Sequence, residues 1–247
     1  MRYRATLAYD GTAYQGFQRQ GDKPTIQGAV EQAAAAVTGQ RVTVTGAGRT
    51  DSGVHATGQV IAFEAEWQHD EAALLRAINA KLPDDIALQD LSPAPGFHPR
   101  FDARARRYAY QVIQAEQRQP LFRHRAWRVR EPLDGETMRQ AAELLVGEFD
   151  FAAFGTPPKG DNTVRRVYQS AWTQQPAAWG TLWIYRIEAN AFLYHMVRRI
   201  VGALVTVGMG RWSVETFEAV FRRAELSAVK VIAPPQGLTL EAVRYER

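Results

Sequence analysis

Cysteine is absent from this sequence, which excludes disulfides, thiolate metal sites and a thiol nucleophile. Histidine is scarce. His55, His69, His98, His124 and His195 show no H-x-x-x-H or comparable ligand spacing, so no metal is expected. Any catalysis falls to carboxylates, hydroxyls, histidine and arginine. No apolar run reaches the ~18 to 20 residues that a membrane-spanning helix needs. The longest candidate, from Met196 to Met209, is interrupted by Arg198 and Arg199. The start, Met1-Arg2-Tyr3-Arg4, leads into strand-like alternation rather than the apolar stretch of a secretory signal. A cytoplasmic protein without membrane association is the expectation.

Lysine is also in short supply. Of 30 basic residues only four are lysine, leaving 26 arginines. Arginine binds phosphate bidentately and stacks on bases, so the bias suits a nucleic-acid partner, although a GC-rich genome or a heat-adapted lineage produces the same bias. The excess is local. Between His98 and Arg130 stand nine arginines (100, 104, 106, 107, 118, 123, 125, 128 and 130) against Asp102 and Glu116 alone. Interleaved with Phe101, Tyr108, Tyr110, Phe122 and Trp127, they read as a phosphate-tracking surface for RNA. The competing reading is a set of solvated strand faces, above all beyond Arg118.

A chain of 247 residues suffices for one large domain or two smaller ones. Tyr3, Ala5, Leu7 and Tyr9 alternate as one face of a first strand. Thr25 caps an expected helix with Ile26, Ala29, Val30, Ala33 and Val37 at helical spacing. Val42 and Val44 form a short expected strand, and residues 59–66 a longer one. A helix with Leu74, Leu75 and Ile78 and a strand near 86–91 follow. The Pro93-Ala94-Pro95-Gly96 turn marks a boundary. Beyond it a strand is predicted over 103–113, a helix over 133–145, strands over 164–173 and 182–189, a long helix over 192–207, a helix with Val214, Phe217, Val220 and Phe221, and a closing strand over 240–245. The loop over 154–162, built from turn formers, is expected to move. The predicted class is α+β, with two similar domains over 1–103 and 104–247. Their sheets are expected to be mostly antiparallel, flanked by helices and meeting at a basic cleft.

One segment stands out chemically: Gly46-Ala47-Gly48-Arg49-Thr50-Asp51-Ser52-Gly53-Val54-His55. Three glycines in eight residues let backbone approach a ligand while a carboxylate and a guanidinium point different ways. Pattern alone slightly favours a tight turn in which Asp51 and Thr50 bond the local backbone. A phosphate loop is the weaker reading, because a third glycine and a following helix are missing.

Residues 48–60, Gly48-Arg49-Thr50-Asp51-Ser52-Gly53-Val54-His55-Ala56-Thr57-Gly58-Gln59-Val60, resemble the signature of the tRNA pseudouridine synthase A family. Four further segments match in order: 9–18, from Tyr9-Asp10-Gly11-Thr12 to Phe17-Gln18; 97–103 with Arg106-Arg107-Tyr108; 190–198, Asn190 to Arg198; and 233–238, Ala233-Pro234-Pro235-Gln236-Gly237-Leu238. Ser52 stands where alanine is more usual.

The resemblance implies isomerisation of uridine to pseudouridine at positions 38, 39 and 40 in the anticodon stem and loop of tRNA, after base flipping, by a homodimer without cofactor. It makes Asp51 the catalytic nucleophile. Attack at C1′, addition at C6 and abstraction of the C2′ proton all stay open for it. It makes Arg198 the partner that holds Asp51 ionised and Tyr108 the ring that stacks on the base and serves proton transfer at C5. Arg49 fills the gap left by the flipped base, or else binds phosphate. Arg106 and Arg107 are taken as tRNA contacts. Residue pattern by itself reads Tyr108 as a core residue; Arg198 reads as a solvent-facing arginine or, since one of the adjacent Arg198 and Arg199 must lie toward the apolar face, as one with a buried partner. His55 invites a triad that no serine context supports. The two rival functions are an RNA binder without catalysis, which has no need of Asp51, Tyr108 and Arg198 together, and a carboxylate glycosidase, which wants a second catalytic acid. The long helix and the Trp-rich C-terminal sheet are the candidate dimer surfaces.

Overall fold

The computed structural model describes residues 1–245. The chain forms two compact units, Met1–Arg104 with the segment from Thr239 onward, and Ala105–Leu238. The closing strand, last in chain order, therefore belongs with the first unit.

In the first unit, strand β1 (Arg2–Tyr9) buries Tyr3, Ala5, Leu7 and Tyr9 and half-exposes the residues between them. That is the period of two expected of a strand with one core face. β1 pairs antiparallel with β3 (His55–Glu64) along one edge, and with β4 (Ile86–Leu88) and β5 (Ser92–Pro93) along the other. Strand β11 (Leu238–Arg244) continues the sheet, running parallel to β3 through Thr239 opposite His55 and Leu240 opposite Ala56. Helix α1 (Ile26–Thr38) starts where Thr25 accepts the Gly28 N–H at 3.3 Å and buries Ile26, Val30, Ala33 and Ala34. Helix α2 (Glu71–Asn79) is capped by Asp70 and packs beside α1 with Leu74 and Ile78 inward. Each such buried side chain contributes roughly 1.5–3 kcal/mol.

Two expectations for this unit need correction. The short strand at Val42 and Val44 does not form; the two-residue β2 (Thr45–Gly46) lies just beyond it. Both valines are buried, but α1 takes the backbone bonds of Val44. Gln27 Nε2 donates to Val44 O at 3.0 Å and Glu31 Oε1 accepts from Val44 N at 3.0 Å. The next strand begins at His55 rather than Gln59, so residues 55–60 of the 48–60 segment are already sheet.

In the second unit, β10 (Gly180–Ala189) pairs antiparallel with β6 (Ala105–Gln114) and β9 (Val164–Ala177), and β9 pairs with β8 (Gly147–Asp150). β7 (Trp127–Val129) adds a short parallel pairing on β6. Helix α3 (Gly135–Glu143), capped by Asp134, packs on β9 and on α4 (Met196–Gly208); α5 (Val214–Arg223) contacts both helices. Phe151, Phe154, Phe217 and Phe221 form one aromatic core cluster, with ring centroids 5.1 to 6.4 Å apart. Each unit thus has the expected α+β character, with mostly antiparallel strands and helices. The long helix, however, starts at Met196 and not at Phe192. The Tyr194 N–H is bound to Thr156 O at 2.9 Å and His195 has φ +62°, so the backbone there is already committed to a bridge and a left-handed turn.

Among the described residues no helix is long and apolar enough to cross a membrane, and no cluster of three or more His, Cys, Asp or Glu is placed to hold a metal ion.

Candidate active site

Asp51 sits half-buried in the turn that joins β2 to β3, where the Val54 N–H donates to Asp51 O at 3.1 Å and Gly53 takes φ +77°. The local backbone therefore makes the tight turn that pattern reading allows. The side chains around it do more than close a turn. The Thr50 hydroxyl, 7% exposed, meets the Tyr9 phenol on β1 at 2.8 Å. Ser52 Oγ donates to Tyr14 O at 3.1 Å, and Gln59 Nε2 on β3 donates to Gly48 O at 2.9 Å. Arg49, between these anchors, is exposed.

The early segment is clamped against this turn by backbone contact. Phe17 N donates to Thr50 O at 3.0 Å, and Gly16 has φ +85°. A Cβ at Gly16 would lie 2.7 Å from Thr50 O, and one at Gly11 would collide with Val54 O. Only glycine lets the two loops touch at these points. His55 is 2% exposed; its Nδ1 accepts from Gly11 N at 3.1 Å and lies 3.0 Å from Asp10 Oδ1. Its place is to brace the Asp10-Gly11 corner against β3. Residues 9–18 and 48–60, read separately in the sequence, form one assembly beneath Asp51.

The second unit gathers another set. Tyr108 on β6 is buried opposite Ile187, with its ring edge-on to Phe192 at 5.1 Å and 88°. Arg106, two residues earlier and on the same strand face, donates from Nη1 to Asn190 O at 2.9 Å. Arg107 faces the other way and stands in register opposite Glu188. Arg198, in the first turn of α4, donates from Nε to Ala233 O at 2.8 Å, and Ala233 N donates back to Arg198 O at 3.0 Å. Tyr110 donates to Pro234 O at 2.6 Å, and Gly237 abuts the Tyr110 ring. Burial pushes the Tyr110 phenol well above its ordinary pKa, while the Arg198 charge draws it back down. Segments 106–110, 190–198 and 233–237 are thus bonded together.

Arg198 and Arg199 are both half-buried, the latter donating from Nη1 to Val229 O at 2.9 Å. The reading of a solvent-facing Arg198 therefore falls. Further along the arginine-rich stretch, positions 118, 123, 125 and 130 are exposed, and Arg128 is half-buried with Nη1 on Glu116 O at 3.0 Å.

Sequence reasoning gave no role to Tyr9 or Gln59. Tyr9 looked like one more inward residue of an alternating strand. Gln59 is wholly buried, and its Oε1 meets no donor among the described residues. A glutamine inside an otherwise apolar strand was the available signal, since burying half an amide unpaired is costly.

A family described as tRNA pseudouridine synthase matches this chain over residues 5–102 and 141–246. Among relatives, the tRNA pseudouridine synthase A of Neisseria gonorrhoeae (strain NCCP11945) is 44% identical over 248 residues, covering 99% of this chain and 92% of its own. That of Pseudothermotoga lettingae is 41% identical over 246 residues, covering 99% of both chains. That of Chloroflexus aurantiacus is 44% identical over 244 residues, covering 97% of this chain and 87% of its own. Of solved structures, a dye-decolorizing protein from V. cholerae covers 88% of each chain at 11% identity with a TM-score of 0.20, too little to bear on the fold. With family and relatives matching over nearly the whole length, the chain belongs to the tRNA pseudouridine synthase family and is an isomerase.

Proposed function

We propose that this protein converts uridine to pseudouridine at positions 38, 39 and 40 of the tRNA anticodon stem and loop, with Asp51 as the nucleophile. The observation that carries the reading is the assembly of Gly11, Gly16, Tyr9 and Gln59 around the Asp51 turn, which spends buried polar contacts on holding one carboxylate-bearing loop in place. The reaction breaks the C1′–N1 bond, turns the uracil and forms C1′–C5; the C5 proton leaves and N1 gains one. Atoms balance without a redox or group-transfer partner. A carboxylate suits the electron-poor intermediate, by attack at C1′ or addition at C6.

Arg198 is proposed to hold Asp51 charged and aimed, Tyr108 to stack on the flipped base and assist the proton transfer, and Arg49 to occupy the space the base leaves. Arg106, on the Tyr108 face, is proposed to bind the tRNA backbone there, and Arg107 to bind it from the opposite face. A cytoplasmic location and a homodimer belong to the same reading. Ten of the thirteen α4 residues are buried within the subunit, whereas β9 exposes Val164 and Tyr168, so the C-terminal sheet is the better of the two candidate dimer surfaces.

The test is Asp51→Asn assayed by tritium release from C5-labelled tRNA. We expect release to fall by about 10⁴-fold, as loss of a nucleophile does, with tRNA binding retained. Persistent release would overturn the assignment of Asp51. Wild-type protein that binds tRNA and isomerises no uridine would favour the binder instead.

A further inference from the structure

Phe101 is 77% exposed, the most exposed aromatic ring among the described large apolar residues. It is not loose. Its ring lies over His98 with centroids 4.1 Å apart and planes 24° from parallel. His98 Nδ1 accepts from both Arg100 N (3.2 Å) and Phe101 N (3.1 Å). Asp102 closes the loop, its Oδ2 accepting from His98 N at 2.9 Å while its own N–H donates to His98 O at 3.1 Å. Beneath, Arg2 Nε donates to Phe97 O, the Tyr245 phenol donates to Pro99 O, and the Arg4 guanidinium sits over the Phe97 and Tyr245 rings. A phenylalanine held this firmly with one face on a histidine presents its other face to solvent.

The surroundings select the occupant. Arg100 and Arg104 flank the ring in sequence, and Arg4 and Arg2, the latter paired with Glu64 at 3.2 Å, anchor its loop, against the single carboxylate of Asp102 within the loop. An apolar protein pocket has no use for such a cationic surround. A nucleotide has use for both parts, a π-face for its base and cations for its phosphates. We propose that the His98–Phe101 stack is a platform for an unpaired base of the bound tRNA, apart from the uridine that reacts. The inference rests on the tRNA reading above and adds a contact to it.

The test compares Phe101→Ala, Phe101→Leu and Phe101→Trp in tRNA binding by fluorescence anisotropy and in tritium release. Phe101 lies outside the core, and unchanged circular dichroism and melting verify the fold of each variant. Alanine and leucine should weaken tRNA binding about tenfold, while tryptophan retains affinity and its fluorescence is quenched by tRNA. The salt dependence of binding should stay unchanged, because no charge is removed. Leucine binding as well as wild type would overturn the platform, because apolar cover would then suffice. So would an alanine variant with unchanged affinity, or one whose sole defect is a shift in oligomeric state. If wild type isomerises tRNA uridine and Phe101→Ala binds normally, the platform alone falls. If wild type binds through Phe101 without isomerising, the platform stands and the catalytic reading falls.

Discussion

The Tyr9 phenol and the Thr50 hydroxyl meet at 2.8 Å in the interior of the first unit, joining strand β1 to the residue that precedes Asp51. Both groups are buried, so the bond satisfies polar atoms that water does not reach. Replacing Tyr9 by Phe leaves the Thr50 hydroxyl without this partner, at about 1–3 kcal/mol. We expect Tyr9→Phe to lower stability by that amount in urea unfolding and to lower kcat, because the turn carrying Asp51 loses its tie to the sheet. Removing both groups at once, as Tyr9→Phe with Thr50→Val, should restore part of the stability but not the activity. A kcat equal to wild type in Tyr9→Phe would show the bond to be structural only.

Gly16 illustrates a steric requirement in the same assembly. Its φ of +85° is left-handed, and a Cβ there would press on Thr50 O at 2.7 Å. Alanine at this position costs about 1–2 kcal/mol for the backbone alone, and the contact adds to it. Gly16→Ala is therefore expected to destabilise the protein and to slow tritium release sharply. Gly21→Ala serves as the control, since it shares the positive φ (+53°) but has open space around it. Equal losses of activity in the two variants would remove the close contact from the explanation.

Gln59 makes a third prediction, with a different signature. Its amide holds Gly48 O at 2.9 Å, next to Arg49, and its buried Oε1 is unpaired among the described residues. Gln59→Leu deletes a useful bond and an unpaired oxygen together, so global stability should move by less than about 1 kcal/mol. The tether on Gly48 is lost nonetheless. Steady-state kinetics should show kcat reduced about tenfold with KM for tRNA little changed, the pattern of lost positioning in the transition state. A rise in KM with kcat intact would instead assign Gln59 to binding.

Much of the local structure was legible. The alternation of Tyr3, Ala5, Leu7 and Tyr9, the Thr25 cap and the inward set Met138, Ala141 and Ala142 all appear where periodicity puts them. Expectations failed where a distant partner captured the backbone. Val42 and Val44 have strand chemistry, yet Gln27 and Glu31 hold the Val44 amide and carbonyl. Phe192 and Leu193 extend the apolar pattern of α4, yet Thr156 holds the Tyr194 amide and the helix waits until Met196. Neither partner is visible in a window of neighbouring residues.

Asp51, the residue singled out from the start, shows the same division. The sequence by itself determined most of the elements, through spacing and caps that act over two to four residues, and its ordered motifs determined the family. It also determined that no thiol takes part in the chemistry, because there is none to use. Only the tertiary structure decided that Gly11 and Gly16 touch the Asp51 turn, that Tyr9 and Gln59 tie it to the sheet, and that β11 returns to β3. These contacts join residues about 10 to 180 positions apart. They follow from how sheets close and which buried groups need partners, and so no local pattern records them.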